Sequence, residues 1–313
     1  MSDRQAVEAL RRNIQSVYHG RREVVDSCLV ALLARGHLLL EDVPGVGKTT
    51  LASVLSQSID CSFRRIQFTS DLLPSDILGV TIYNQEQRRF EFKPGPLFAN
   101  VVLADEVNRT TPKTQSALLE AMNSAQVSID GETHPIGRPF MVLATQNPLD
   151  YHGTFPLPRG QMDRFLMRVH LGYPDRREEI RILREQKLAM EDLQVKPVVH
   201  RDDVVRMQEA VAAVHVEEDL LDYMVRLAEV TRTSSGFELG CSTRGLLALR
   251  RAAQAHAWMQ GRDYLVPDDV QAVAVAVLAH RVQVATSFDR DGATGREDVD
   301  AVRRVLDSVA VPL

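Results

Sequence analysis

Apolar residues recur at helical spacing over Val7, Leu10, Ile14 and Val17, which predicts a first helix opened by Asp3 and closed by Gly20. A second helix is expected from about Arg21 to Ala34, with Val24, Val25, Leu29, Leu32 and Leu33 inside. The apolar run His37 to Leu40 then leads into EDVPGVGKTT, and Leu51, Val54 and Leu55 follow at helical spacing, so residues 37–55 read as strand, tight loop, helix. Cys61 to Phe68 alternates as a strand, and Val80 to Tyr83 and Arg89 to Phe92 flank the polar run Asn84 to Arg88 as a hairpin that Lys93-Pro94-Gly95-Pro96 ends. The buried strand of VVLADEVNR precedes a helix from Thr110 to Asn123, entered through Thr111 and Pro112. Asp130-Gly131 turns a hairpin between Val127 to Ile129 and His134 to Ile136, and further strands are expected at Phe140 to Thr145 and Phe165 to His170. At Gly172-Tyr173-Pro174-Asp175 the pattern changes to helices, at Glu178 to Met190, Val204 to Val214, Glu218 to Arg232, Thr243 to Met259, Pro267 to Val277 and a final stretch around Val302 to Val309. The segment before that last helix, from Phe288, is rich in Asp and Arg.

Composition narrows the class. At 313 residues two domains are the expectation, and 44% hydrophobic and 25% charged residues suit a globular protein. Thirty-seven Lys+Arg against 42 Asp+Glu leave a net charge of −5, so no bulk attraction to nucleic acid or an anionic membrane is expected. Cys28, Cys61 and Cys241 lie far apart without metal spacing and suit a reducing cytosol. The start MSDRQAVEALRRN has no signal-peptide character, and the longest apolar stretch, Cys28 to Leu40, is broken by Arg35 and His37, so neither export nor membrane insertion is expected.

The chemistry begins in the loop. Gly45 and Gly47 permit backbone angles that aim amide N–H groups at phosphate oxygens, and the following helix adds its dipole. Lys48 would reach the β- and γ-phosphates and the Thr49 hydroxyl would sit on Mg²⁺. Asp42 stands where the strict pattern G-x-x-x-x-G-K-[ST] has its first glycine. About sixty residues later an apolar strand ends in Asp105, suited to hold Mg²⁺ through water or Thr49, and Glu106, suited to deprotonate the attacking water. Asn147, at the tip of another strand, can contact the γ-phosphate and the water, or can simply start the turn into Pro148. Arg164 could face a neighbouring subunit's nucleotide, or pair with Asp163. Arg244, in the first turn of a helix whose dipole it opposes, needs a partner elsewhere; the phosphates are one, and a solvated face shared with Arg250 and Arg251 is the other reading.

The motifs LLLEDVPGVGKTT, FANVVLADEVNRTTPKTQSALLEAM, MVLATQNP, FPLPRGQMDRFLMRVHLGYP and STRGLLALRRAAQAHA resemble, in this order and over nearly the whole chain, those of the MoxR family of AAA+ ATPases. The resemblance implies an α/β fold: a three-layer αβα core with a parallel sheet and phosphate loop over 1–173, and an all-helical lid domain over 174–313. It also implies an insertion in the second helix at about 78–95 and a pre-sensor hairpin at about 126–137. By position Lys48 and Thr49 match the Walker A residues, Asp105 and Glu106 Walker B, Asn147 sensor 1, Arg164 the arginine finger and Arg244 sensor 2. The loop Val43, Pro44, Gly45, Val46, Gly47, Lys48, Thr49 and Thr50 would hold ATP with Mg²⁺, and Tyr18 and Gly20 join it as expected nucleotide contacts. The family's usual PEAQLDRF is changed here, with Arg159-Gly160 replacing Glu-Ala. Ring oligomers, often hexamers, that remodel partner complexes in the cytoplasm are implied, commonly with a protein carrying a von Willebrand factor A domain. A nucleic-acid motor on the same core would want a basic channel or an added DNA-binding domain, and a non-hydrolysing nucleotide-sensing scaffold would be expected to lack Glu106 or Arg164.

Overall fold

A computed structural model describes residues 3–42, 45–147, 154–185, 195–285 and 296–312. The residues group into two compact units, one of 1–29, 37–157 and 169–205, the other of 30–36, 158–168 and 206–313.

The first unit opens with α1 (Asp3–Gln15), which buries Ala6, Val7, Leu10 and Ile14. It ends earlier than the periodicity suggests: the Tyr18 N–H closes a turn onto the Ile14 carbonyl at 2.8 Å. The Tyr18 ring folds over Gly20, where a Cβ would lie 2.2 Å from it, so Gly20 serves that packing and not a helix end. α2 (Arg22–Leu33) follows, then β1 (Leu38–Glu41), α3 (Lys48–Ser58) and β2 (Phe63–Gln67). A short α4 (Pro74–Leu78), started by Pro74 and by Asp76 accepting the Leu73 N–H, leads into the hairpin β3 (Gly79–Asn84) and β4 (Arg89–Pro94). β5 (Val101–Asp105), a 3₁₀ turn over Val107–Arg109 and α5 (Pro112–Ser124) come next, followed by the hairpin β6 (Gln126–Ile129) and β7 (Glu132–Pro135), and by β8 (Met141–Gln146). The single turn α6 (Arg159–Met162) is grouped with the second unit, and β9 (Met167–Val169), where the chain returns to the first, is the last strand of a five-stranded sheet of order β2-β5-β8-β1-β9.

β1 runs parallel to β8, β8 to β5 and β5 to β2. Leu38 to Leu40, Val101 to Ala104 and Met141 to Ala144 are all buried, the near-continuous apolar pattern of strands covered on both faces. His37, the polar break before β1, is buried and satisfied: Nδ1 accepts the Val142 N–H at 3.0 Å, so Nε2 carries the hydrogen and donates to the Met122 carbonyl at 3.0 Å. The registers Gln67↔Asp105, Ala104↔Ala144 and Leu40↔Thr145 line up the carboxyl ends of four strands, the edge where open parallel sheets place ligands. α7 (Arg176–Glu185) also belongs to this unit; residues 186–190 of its expected span lie outside the described residues.

The second unit is helical: it takes most of α8 (Arg201–Ala212), then α9 (Glu218–Thr233), α10 (Thr243–Met259), α11 (Pro267–Leu278) and α12 (Arg296–Ser308). The expectation of helices alone needs one correction. β10 (Phe237–Leu239) and β11 (Gln283–Val284) pair antiparallel. They were hidden because two and three residues carry no readable period. α10 starts at Ser242, whose hydroxyl accepts the Gly245 N–H. Asp269, fully buried in the first turn of α11, accepts from Arg262 Nη2 at 2.7 Å, from His256 Nδ1 at 2.7 Å and from the Val266 N–H at 3.0 Å. Burial alone would raise its pKa; the Arg262 and His256 hydrogen bonds hold it at about 2.

Candidate functional site

The site is built at the carboxyl edge of the sheet. Between β1 and α3 the chain turns on two left-handed glycines, Gly45 at φ 86° and Gly47 at φ 90°, which a residue with a Cβ adopts only under strain. Gly47 is also pressed by Tyr18, whose Cε2 would stand 3.3 Å from a Cβ there. Lys48 Nζ donates to the Asp42 carbonyl at 2.7 Å. Burial pulls its pKa down while Asp105, Asp42 and Glu106 act in the opposite direction. The Asp42 side chain has work of its own: Oδ2 accepts the Gly172 N–H at 2.6 Å. That contact gives a physical reason for an aspartate where a strict phosphate loop has glycine. Arg21 holds the same turn, donating to the Leu171 carbonyl at 2.9 Å and the His170 carbonyl at 2.7 Å.

A cleft of about 360 Å³ brings together Gly45, Gly47, Lys48, Thr49 and Thr50 of the loop with Asp105, Glu106 and Asn147 of the strand ends. Val46 is buried beside it and Val43 and Pro44 lie outside the described residues; Tyr18 and Gly20 sit behind the loop rather than in the cleft wall. Asp105 closes β5. Its Oδ1 accepts the Thr145 hydroxyl at 2.6 Å, and its Oδ2 accepts Arg65 Nη2 at 2.7 Å. Glu106 sits in the left-handed region at φ 58°, ψ 51° and its N–H donates to Thr145 Oγ1 at 2.8 Å. This turn throws its carboxylate to the side of β2, where Oε2 accepts Gln67 Nε2 at 2.7 Å and Arg109 Nη1 at 3.0 Å. The 3₁₀ turn beyond is pinned from inside by Gln115, fully buried on α5, whose Nε2 donates to the carbonyls of Val107 at 3.1 Å and Phe155 at 2.8 Å.

Four of these residues were not singled out from sequence: Arg65, Gln67, Arg109 and Thr145. A signal existed for two of them. Arg65 and Gln67 are long polar side chains two apart on the edge strand β2, which puts both on one face of it. Thr145 has no such mark, because a threonine ending an apolar strand is ordinary.

Arg164 and Arg244 belong to the second unit. The segment carrying Arg164 is held by Arg281, itself buried, whose Nε donates to Asp163 Oδ1 at 2.7 Å and Nη1 to the Leu166 carbonyl at 3.0 Å. Arg244 Nη1 lies 3.8 Å from Asp163 Oδ2 and its side chain is 55% exposed. The changed pair Arg159-Gly160 also has a local role, since Arg159 Nη2 donates to the buried Asp298 on α12 at 2.9 Å.

The donor set suits Mg²⁺ carried in with phosphate. A hydroxyl at Thr49 and a carboxylate at Asp105 face one cleft, whereas among the described residues no group of three His, Cys, Asp or Glu forms a cage that would hold a metal without further ligands.

A phosphate loop opening a helix, with two acids and an amide at neighbouring strand ends of a parallel sheet, defines a P-loop nucleotide-binding protein. Residues 37–167 match the model of the ATPase family associated with various cellular activities (AAA), and residues 229–302 match the AAA lid domain. The chain is 45% identical over 301 residues to YeaC of Bacillus subtilis, covering 96% of this chain and 93% of that protein. It is 40% identical over 308 residues to Chaperone MoxR1 of Mycobacterium tuberculosis, 96% and 80% covered, and 30% identical over 345 residues to Protein MoxR of Methylorubrum extorquens, 99% and 96% covered. A crystal structure of a candidate ATPase from Cytophaga hutchinsonii superposes with a TM-score of 0.88 at 37% identity, over 99% of this chain and 96% of that one. The chain belongs to the MoxR family of AAA+ ATPases. Among the described residues no helix is long and apolar enough to cross a membrane.

Proposed function

We propose that the protein is an Mg²⁺-dependent ATPase that works as a ring, a hexamer by family resemblance, and remodels or assembles partner proteins in the cytoplasm. The observation that carries this reading is the pair of bonds through Thr145, which fixes Asp105 and Glu106 in one cleft with Lys48 and Asn147. The loop amides from Gly45 to Thr50 cradle the phosphates, and Tyr18 and Gly20 shape the back of the loop. Lys48 neutralises the β- and γ-oxygens, and Thr49 and Asp105 would hold Mg²⁺, which would supply charge neutralisation for phosphoryl transfer. Glu106 takes the proton of the attacking water and Asn147 orients that water. Arg164 arrives from the neighbouring subunit, and Arg244 contacts the phosphates as hydrolysis moves a lid (174–313) against a core (1–173). The relative named Chaperone MoxR1 supports a chaperone-like role, and a protein with a von Willebrand factor A domain is the expected partner. The acidic balance supports no nucleic-acid role.

Mixing tests the shared site. Arg164→Ala and Glu106→Gln subunits are each expected to hydrolyse ATP poorly, and mixed rings to regain part of the rate, because a subunit with its own Glu106 then faces a neighbour with Arg164. Mixed rings without any recovery would place Arg164 outside the neighbour's site.

A further inference from the structure

The second unit holds a pocket of about 490 Å³ between the end of α2, α8 and α10. Its floor is apolar, formed by Leu33, Ala34, Val211 and Ala212, with Leu247 rising 56% exposed beside it. Among the described residues four arginines line it, Arg35, Arg244, Arg250 and Arg251, and no carboxylate does. Among the described residues, Arg35, Arg250 and Arg251 have no ion-pair or side-chain hydrogen-bond partner, and Arg244 has only the long contact to Asp163. Arg251 is in addition partly desolvated with nothing to compensate it, which lowers its pKa.

The four guanidiniums are exposed and gathered around an apolar surface, which makes the pocket complementary to an anionic ligand with an apolar part. Their spacing says what kind. Arg244 and Arg251 are seven residues apart on one helix, two turns or about 10 Å, too wide for a single carboxylate or phosphate to bridge. An extended peptide covers that distance in about three residues and can place an apolar side chain on the floor between two acids. We propose that this pocket binds an acidic segment of a partner protein, an apolar residue flanked by Asp or Glu, with the guanidiniums taking the carboxylates in forked pairs. Arg244 is shared with the phosphate contact proposed above, so the test rests on Arg250, Arg251 and Leu247, which the nucleotide reading does not use, and on peptide binding rather than ATP hydrolysis.

The test uses the full chain and a fluorescent peptide, Gly-Asp-Glu-Leu-Asp-Glu-Gly, read by anisotropy at low and at physiological salt. Binding is expected, weaker as salt rises, and lost for the Asn/Gln version of the peptide and for the version with Ser in place of Leu. Arg250→Ala and Arg251→Ala are each expected to weaken it about tenfold, the scale of one charge-assisted pair, and Leu247→Asp to abolish it; thermal melts establish that each variant folds. Absence of peptide binding to the wild-type chain, or equal binding to the folded variants, overturns the proposal. Tripolyphosphate or a single-stranded oligonucleotide displacing the peptide at lower concentration than unlabelled peptide also overturns it in favour of a phosphate ligand. Self-association that Arg251→Ala disrupts, without peptide binding, overturns it in favour of a second copy.

Discussion

Thr145 donates its hydroxyl hydrogen to Asp105 Oδ1 at 2.6 Å while the same oxygen accepts the Glu106 N–H at 2.8 Å. One fully buried side chain thereby sets both the side chain of the expected Mg²⁺ ligand and the backbone of the expected base. Thr145→Val keeps the shape and removes both bonds, leaving a buried donor unpaired. A stability loss of roughly 1–3 kcal/mol is expected, with a fall in kcat larger than the change in KM. Thr145→Ser should restore the rate, and unchanged kcat in a folded Thr145→Val protein would deny the residue this role.

In the proposed site Arg65 and Mg²⁺ would compete for Asp105, whose Oδ2 accepts from Arg65 Nη2 at 2.7 Å. The guanidinium is about half exposed, so its pair with Asp105 Oδ2 is worth at most about 1 kcal/mol. Arg65→Ala is therefore expected to lower the Mg²⁺ concentration that half-saturates nucleotide binding, by about two- to fivefold. Titration of a fluorescent ATP analogue against Mg²⁺ measures it. A raised Mg²⁺ requirement would mean that Arg65 serves the nucleotide instead.

Much of this architecture was legible in the chain, and the illegible parts share a cause. β1, β5 and β8 are short apolar runs ending in polar residues, and α10 spans Thr243–Met259 as the helical period and the Ser242 cap indicate. Pattern failed where a residue's place depends on a distant segment. Asp42 is explained by Gly172, Gly20 by the Tyr18 ring, Arg159 by Asp298 and the polar face of β2 by Asp105 and Glu106. None of those pairs has a periodic signature, and the short α4 and the β10–β11 ribbon are too brief to have one.

Lys48 gives the nucleotide-free protein a pH signature. Its pKa is lowered by burial from the ordinary 10.5, so between the two values the folded chain binds fewer protons than the unfolded one. Stability then rises with pH across that window, and the protonated lysine is a cost below it. Against Lys48→Met, the wild type should gain relative stability as pH climbs from neutral toward 10.5 in denaturant titrations. Lys48→Met should also lack the melting-temperature increase expected for the wild type with Mg²⁺ and ATP. A constant difference across the pH range would contradict the burial of this ammonium.

Asp269 works in the opposite range. With a folded pKa of about 2 against an ordinary 3.8, its contribution is present above pH 4 or so and is lost as pH falls through about 2. Asp269→Asn leaves Arg262 unpaired and should cost about 3 kcal/mol at neutral pH, the scale for breaking a buried pair. Denaturant unfolding at pH 7 and pH 3 checks both statements, since the gap between the two proteins should narrow with acid. A gap that widens with acid would remove the ion pair as its source.

In the proposed site Glu106 activates water on a nucleotide held by Lys48, Thr49 and Asp105. Single-turnover hydrolysis of ATP by Glu106→Gln, with ATP affinity measured on the same preparation, tests it most directly. ATP affinity within a few-fold of wild type, with the chemical step slowed by about a hundredfold or more, is the expected result. Wild-type turnover in Glu106→Gln would contradict the assignment of the base, and absence of ATP binding to the wild-type chain would contradict the site itself.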